Sequence, residues 1–261
     1  GNGSRTSAEL EFFVSGITVG ETYFFRHHDQ FEFLRERWVK DVVARMRLKG
    51  DRSLRIWSPG CSSGEEIYSI SIMLDQVLPD RSEWNINLLG TDINVSALAT
   101  ALAGKYRNWS LRSTPKAVVK NYFSSKAQLH ELDPNIVRSV RFEHLNLVSD
   151  VFPSILTDTT AIDLILCRNV FIYLSPTTIE EVTAKFVASL GEHGVLMLAP
   201  ADIQNLNPNG LTLERYGNVT YFQKDAGAAA KRHTNTSLSD EYRPTQATYL
   251  APQPVPASSA P

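Results

Sequence analysis

The 261-residue chain predicts an α/β fold, a mostly parallel sheet doubly wound with helices. Three observations carry that prediction. Short apolar runs at residues 54–57, 86–90, 162–166 and 195–199 have the character of strands buried inside a parallel sheet. Segments with apolar residues at helical spacing alternate with them. The first run leads directly through a glycine-bearing turn into such a helix, Leu-Arg-Ile-Trp-Ser-Pro-Gly-Cys-Ser-Ser-Gly-Glu-Glu at residues 54–66. A strand, a glycine turn and a helix N-terminus together form a cradle for a ligand.

In chain order, residues 1–16 are a lead-in with Phe12 and Phe13 as packing anchors. In residues 17–26, Gly20 or Thr22 can begin a helix, and Phe31, Leu34, Trp38 and Val42 continue a helical period. After the central turn, Ile67, Ile70, Leu74 and Val77 mark the apolar stripe of the next helix. Strand 86–90 ends in Thr91-Asp92-Ile93-Asn94, followed by an alanine-rich helix over 95–103. Residues 115–122 read as a helix with proline near its start. Residues 124–142 read as an antiparallel hairpin turning at Asp133-Pro134-Asn135, an insertion on the sheet. Strand 162–166 runs into Cys167-Arg168-Asn169. An amphipathic helix over 176–190 is bounded by Gly191 and Gly194, then comes strand 195–199. Residues 211–216 and 219–224 form a closing strand pair. From residue 225 the chain turns proline-, alanine-, serine- and threonine-rich and predicts a disordered tail over 225–261.

The central turn matches neither a dinucleotide nor a phosphate-binding pattern, for it has no G-x-G-x-x-G and no Lys-Ser/Thr after a G-x-x-x-x-G. Glu65 and Glu66 stand where a phosphate would sit. They suit a cationic ligand such as an ammonium or sulfonium, or are simply solvated acids of a strand-to-helix turn. Asp92, at the carboxyl end of its strand, fits a ribose-binding acid or a helix N-cap. Asn146 reads a base edge or caps a turn. Arg168 and Asn169 fall on the same rim as Gly60 and Asp92 by the crevice rule for parallel sheets. Tyr173 is a core aromatic or faces that rim.

A net charge of −2 shows no nucleic-acid footprint, and no apolar run reaches membrane-span length. Two cysteines, Cys61 and Cys167, make no disulfide framework and predict a reduced, cytoplasmic protein with buried thiols. His27 and His28 are adjacent, and no second pair at ligand spacing supports a metal site. The first residues read as the start of a fragment rather than a signal peptide.

Five stretches, in order and spacing, resemble the CheR family, methyltransferases that esterify glutamates of bacterial chemoreceptors. They are Thr22-Tyr-Phe-Phe-Arg26, residues 57–69 (Trp-Ser-Pro-Gly-Cys-Ser-Ser-Gly-Glu-Glu-Ile-Tyr-Ser), Gly90-Thr-Asp92-Ile, Asn146-Leu147, and Cys167-Arg-Asn-Val-Phe-Ile-Tyr173. The resemblance covers residues 12–224. It implies a Rossmann-like methyltransferase domain over 17–224 with a β-subdomain at about 124–145, and S-adenosyl-L-methionine as cofactor, with S-adenosylhomocysteine as product. It places Gly20, Thr22, Arg26, Glu66, Asp92, Asn146, Leu147, Arg168 and Asn169 around the cofactor, with Glu65 a neighbour. Arg26 and Tyr173 fall beside the transferring methyl. The acceptor implied is the cytoplasmic helical domain of a chemoreceptor, with no nucleic acid and no direct membrane insertion.

The chain departs from the family in four places. Gly20 stands where the family has Asn, and Ala199-Pro200-Ala201-Asp202 where it has Gly-His-Ser-Glu. The family's N-terminal helical domain is not found in this chain. The hairpin lacks the glycine-rich insertion associated with a receptor's tether peptide, so tether binding is not expected. A glutamate side chain, with an ordinary pKa of about 4.3, is already ionised at neutral pH and needs no general base. Two other readings remain open: a CheR-like enzyme with another protein acceptor, and a non-catalytic cofactor-binding signalling module. A dehydrogenase is disfavoured by the missing pyrophosphate glycines.

Overall fold

The computed structural model describes residues 22–224, apart from residues 127, 204 and 205. Gly20, the lead-in and the proline-rich tail lie outside the described residues.

Helix α1 runs His28–Phe33, passes through a π-helical stretch, Leu34–Trp38, and continues as Val39–Leu48. Its apolar stripe (Phe31, Leu34, Trp38, Val42) is buried, and Lys40–Glu36 and Arg37–Asp41 pairs lie on the wet side. The strands and helices that follow are β1 (Ser53–Pro59), α2 (Glu65–Val77), β2 (Asn85–Asp92) and α3 (Val95–Ala103). Next come β3 (Lys105–Tyr106), α4 (Lys116–Tyr122), β4 (Phe123–Lys126), β5 (Leu129–Leu132) and α5 (Pro134–Arg138). The chain closes with β6 (Val140–His144), β7 (Ile162–Cys167), α6 (Pro176–Ser189), β8 (Leu190–Leu198), β9 (Leu211–Tyr216) and β10 (Val219–Lys224).

Seven strands form one sheet in the order β6-β2-β1-β7-β8-β10-β9, parallel from β6 to β8, with β10 antiparallel to both its neighbours. Because side chains alternate across a strand, each central strand feeds two cores. Ile56, Leu88, Leu164, Leu166 and Met197 pack on one face with α1 and α2. Trp57, Leu89, Ile165, Cys167, Leu196 and Leu198 pack on the other with α6 through Val182 and Phe186. The chain reversal that makes such a sheet doubly wound occurs at β1, with β2 on one side and β7 on the other. Both cysteines are free and buried. Among the described residues, no helix is long and apolar enough to cross a membrane.

Two expected boundaries are corrected. The antiparallel insertion is a three-stranded sheet, β3-β5-β4, and its hairpin pairs β4 with β5. Asp133-Pro134-Asn135 begins helix α5 instead of closing a hairpin: the Asp133 carboxylate accepts from Asn135 N (2.7 Å), with proline in the first turn. The strand that follows, β6, joins the main sheet beside β2. Gly191 and Gly194 lie within β8, whose first residue is Leu190. A Cβ at Gly194 would come within 2.7 Å of the Ile162 carbonyl, at the register shift between β7 and β8.

One core residue gives a pH signature. Asp163 of β7 is buried and accepts the Arg55 backbone N–H at 2.9 Å, and burial pushes its carboxyl up to about 6. The folded chain therefore holds a proton there that the unfolded chain, with an ordinary pKa near 3.9, releases earlier. Its contribution is present below pH about 4 and is lost as pH rises to about 6. Urea unfolding across that window should show wild type losing about 2–3 kcal/mol relative to Asp163→Asn. Parallel pH profiles for the two proteins would refute the buried-proton account.

Candidate functional site

Among the described residues, the predicted turn at 60–66, Asp92, Asn146 and Arg168 lie where parallel strands end. β1 passes into the turn 60–64, β2 ends at Asp92, β6 leads to Asn146, and β7 leads to Arg168. Gly60 (φ 70°) and Gly64 (φ 88°) both occupy the left-handed region. Protein packing demands glycine there as well: a Cβ at Gly60 would lie 2.4 Å from Val170 Cγ2, and one at Gly64 2.9 Å from Ala101 Cβ.

Asp92 secures this turn. One carboxylate oxygen accepts Ser62 N (2.7 Å) and the other Asn94 N (2.8 Å). Asn94, not Asp92, caps α3, its side chain accepting Ala97 N at 3.1 Å. Burial pushes the Asp92 carboxyl up, against the backbone N–H groups that pull it down. Each oxygen keeps a second lone pair for a ligand hydroxyl.

Glu66, in the first turn of α2, accepts the Ser58 hydroxyl at 2.7 Å and is ion-paired with Arg168 Nε. Arg168 Nη1 also donates to the Arg26 carbonyl (2.6 Å) and to Gln30 Oε1 (3.1 Å). Gln30 Nε2 in turn donates to the Leu198 carbonyl at 2.7 Å. The buried guanidinium thus ties β7, α2, α1 and the end of β8 into one knot. Glu65 lies beneath, buried, accepting Ser63 Oγ (2.7 Å) and Ser110 Oγ (2.9 Å), and burial pushes its carboxyl up.

Residues 22–27 cross the rim as a strap. Phe24 N donates to the Ser110 carbonyl and Phe25 N to Ser69 Oγ, each at 2.9 Å. Phe25 (φ 57°) and His27 (φ 61°) flank Arg26 in left-handed backbone, which non-glycine residues hold only where surroundings over-determine it. Thr22 and Arg26 are half-buried. Burial, and next the Arg168 charge, lowers the His27 pKa.

Asn169 is likewise left-handed (φ 61°), and its N–H donates to Asp202 at 2.6 Å. Burial pushes the Asp202 carboxyl up. Asn146 closes a turn, its amide oxygen accepting Val148 N at 2.9 Å and leaving the amide nitrogen to donate. Leu147 is buried behind it. Tyr173 lies in the short 3₁₀ turn Phe171–Tyr173 and is 49% exposed, so it is not a core aromatic.

Sequence reading missed Gln30, Ser58 and Asp202. Gln30 carried a usable signal, since it stands one helical turn before Leu34 on the stripe that α1 buries.

The family model described as CheR methyltransferase, SAM binding domain, matches residues 20–210. Chemotaxis protein methyltransferase 2 of Vibrio cholerae is 32% identical over 217 residues, covering 83% of this chain and 73% of that protein. The chemotaxis protein methyltransferase of Listeria innocua is 30% identical over 214 residues, covering 82% of this chain and 76% of that one. The probable biofilm formation methyltransferase WspC of Pseudomonas aeruginosa is 31% identical over 211 residues, covering 80% of this chain and 47% of that one.

Proposed function

Because the chain belongs to the CheR methyltransferase family, we propose that it methylates glutamate side chains in the cytoplasmic helical domain of chemoreceptors, giving glutamate methyl esters, and that it works in the cytoplasm. What supports this reading is that Glu66, Asp92 and Asn146 lie at the carboxyl ends of parallel strands or in the turns and helix that follow them, with Arg26 tied to the same place through its carbonyl: two carboxylates to accept from an amine and a sugar diol, and an amide to donate to a purine. S-adenosylmethionine, when bound, supplies a methyl group on a cationic sulfur.

The residues fit that cofactor in kind. Asp92 would hold the ribose hydroxyls with its remaining lone pairs, and the Asn146 amide nitrogen would donate to the adenine, backed by Leu147. Glu66 would face the amino group with its charge already balanced by Arg168. Arg168 itself is committed to protein partners, which supports a role through Glu66 and the Arg26 strap. Thr22 and Asn169 would border the same rim, and Arg26 and Tyr173 would line the acceptor's approach. An ionised glutamate needs no residue to remove a proton, so these side chains act by placement and partial desolvation.

The similarity to WspC favours a second acceptor class, a protein of another signalling route, on the same chemistry. Calorimetry with S-adenosylhomocysteine tests the cofactor site, with saturable one-to-one binding expected. A tritiated-methyl assay on receptor cytoplasmic fragments should yield label that alkali releases as methanol. Binding without that label removes the receptor as acceptor, and no binding removes the whole assignment.

A further inference from the structure

We propose that Trp109 and Arg112 are positioning residues for Arg26, acting through the ring of Tyr23. The inference rests on the reading of Arg26 given above. The Arg112 guanidinium carbon lies 3.7 Å from the centre of the Tyr23 ring and 4.1 Å from that of Trp109. The Arg26 guanidinium carbon lies 5.6 Å from the same Tyr23 ring. The four side chains form an alternating series, Trp109–Arg112–Tyr23–Arg26, from the surface to the rim.

Its outer end is unusual on physical grounds. Trp109 is 63% exposed, so its indole does little for the core. What holds it is Arg112, which also donates from Nη1 to the Trp109 carbonyl at 2.7 Å. Each cation–ring contact of this kind is modest, but together they restrict the rotamers of a ring that Arg26 shares. An arginine side chain loses much rotamer freedom when fixed in one place, so a plate beside it raises the fraction of time it points usefully. Two guanidiniums beside one ring also concentrate positive potential where an anionic acceptor must enter.

The backbone supports the same coupling. Trp109 and Arg112 belong to the turn whose Ser110 carbonyl accepts Phe24 N, so the stack and the strap share an anchor. That turn lies between β3 and β4, which assigns the antiparallel insertion a part in setting Arg26.

The test compares Trp109→Ala, Trp109→Phe, Arg112→Ala and Arg112→Lys in the methyl-transfer assay and in calorimetry with S-adenosylhomocysteine. Trp109→Ala and Arg112→Ala should each lower kcat about tenfold, with the S-adenosylhomocysteine Kd held within about twofold. Trp109→Phe, which keeps a plate, should recover most of the loss. Arg112→Lys, which keeps charge without a planar group, should recover little. Wild-type kcat in both alanine variants, or full recovery by Arg112→Lys, overturns the proposal. So does a Kd that rises as far as kcat falls. Wild-type turnover in Arg26→Ala would instead remove the parent reading, so the two failures are distinguishable.

Discussion

Arg168→Ala is expected to cost the fold about 3–5 kcal/mol, the range for removing one partner of a buried ion pair. The loss would come from three acceptors at once. Glu66 would keep its charge without a counter-ion, and the Arg26 carbonyl and Gln30 amide would lose their donor. The guanidinium also lies over the Phe31 ring at 5.3 Å, so packing goes with it. For a domain whose whole stability is about 5–15 kcal/mol, that is a large fraction. The urea midpoint should fall steeply and respond weakly to salt, because a buried pair is little screened. Glu66→Gln combined with Arg168→Met should recover part of the loss, since the double change leaves no stranded charge. A single-variant loss below about 1 kcal/mol, the worth of an exposed pair, would show that the knot does not hold these elements together. The result also governs how activity data are read, because an inactive Arg168→Ala would report on the strap as much as on the cofactor.

The strands were legible wherever burial on both faces forced a run of apolar residues, as in β7, which is buried from Ile162 to Cys167. Legibility failed at 133–142 because Asp-Pro-Asn satisfies a turn and a helix N-terminus equally well. Only pairing with β2, a tertiary fact, decides between them. The rule that ligands sit beyond the carboxyl ends of parallel strands put the candidate rim at Gly60, Asp92 and Arg168, and each of these ends or directly follows a parallel strand. How its residues partner one another was not visible. Glu66 and Arg168 are 102 positions apart, and Gln30 and Leu198 are 168 apart, so no local pattern announces either contact. The consequence is specific: Glu66 and Arg168, both expected around the cofactor, are also ion-paired with each other. Trp109 and Arg112, three residues apart in a polar turn, read as ordinary surface until Tyr23 is folded against them.

Arg26→Ala is expected to lower methyl transfer by about 10²–10⁴-fold while leaving the fold nearly intact. The strap keeps its main-chain fastenings in this variant, for Phe24 N, Phe25 N and the Arg26 carbonyl make them. Truncation should therefore cost less than about 1 kcal/mol of stability, as for a half-buried residue outside the core. What is lost is a planar fork able to take both oxygens of a carboxylate. Two placements of that fork give different signatures. If Arg26 orients the acceptor, kcat falls and the S-adenosylhomocysteine Kd is unchanged. If it holds the cofactor's own carboxylate, the Kd rises in step with the loss in rate. The first is expected, for an orienting contact shared with the Tyr23 ring can hold the acceptor carboxylate without pairing so tightly that it blunts the nucleophile. Arg26→Lys should recover only a minor part, having charge without the fork. Wild-type turnover in Arg26→Ala, with the protein folded by circular dichroism, would take Arg26 out of the mechanism.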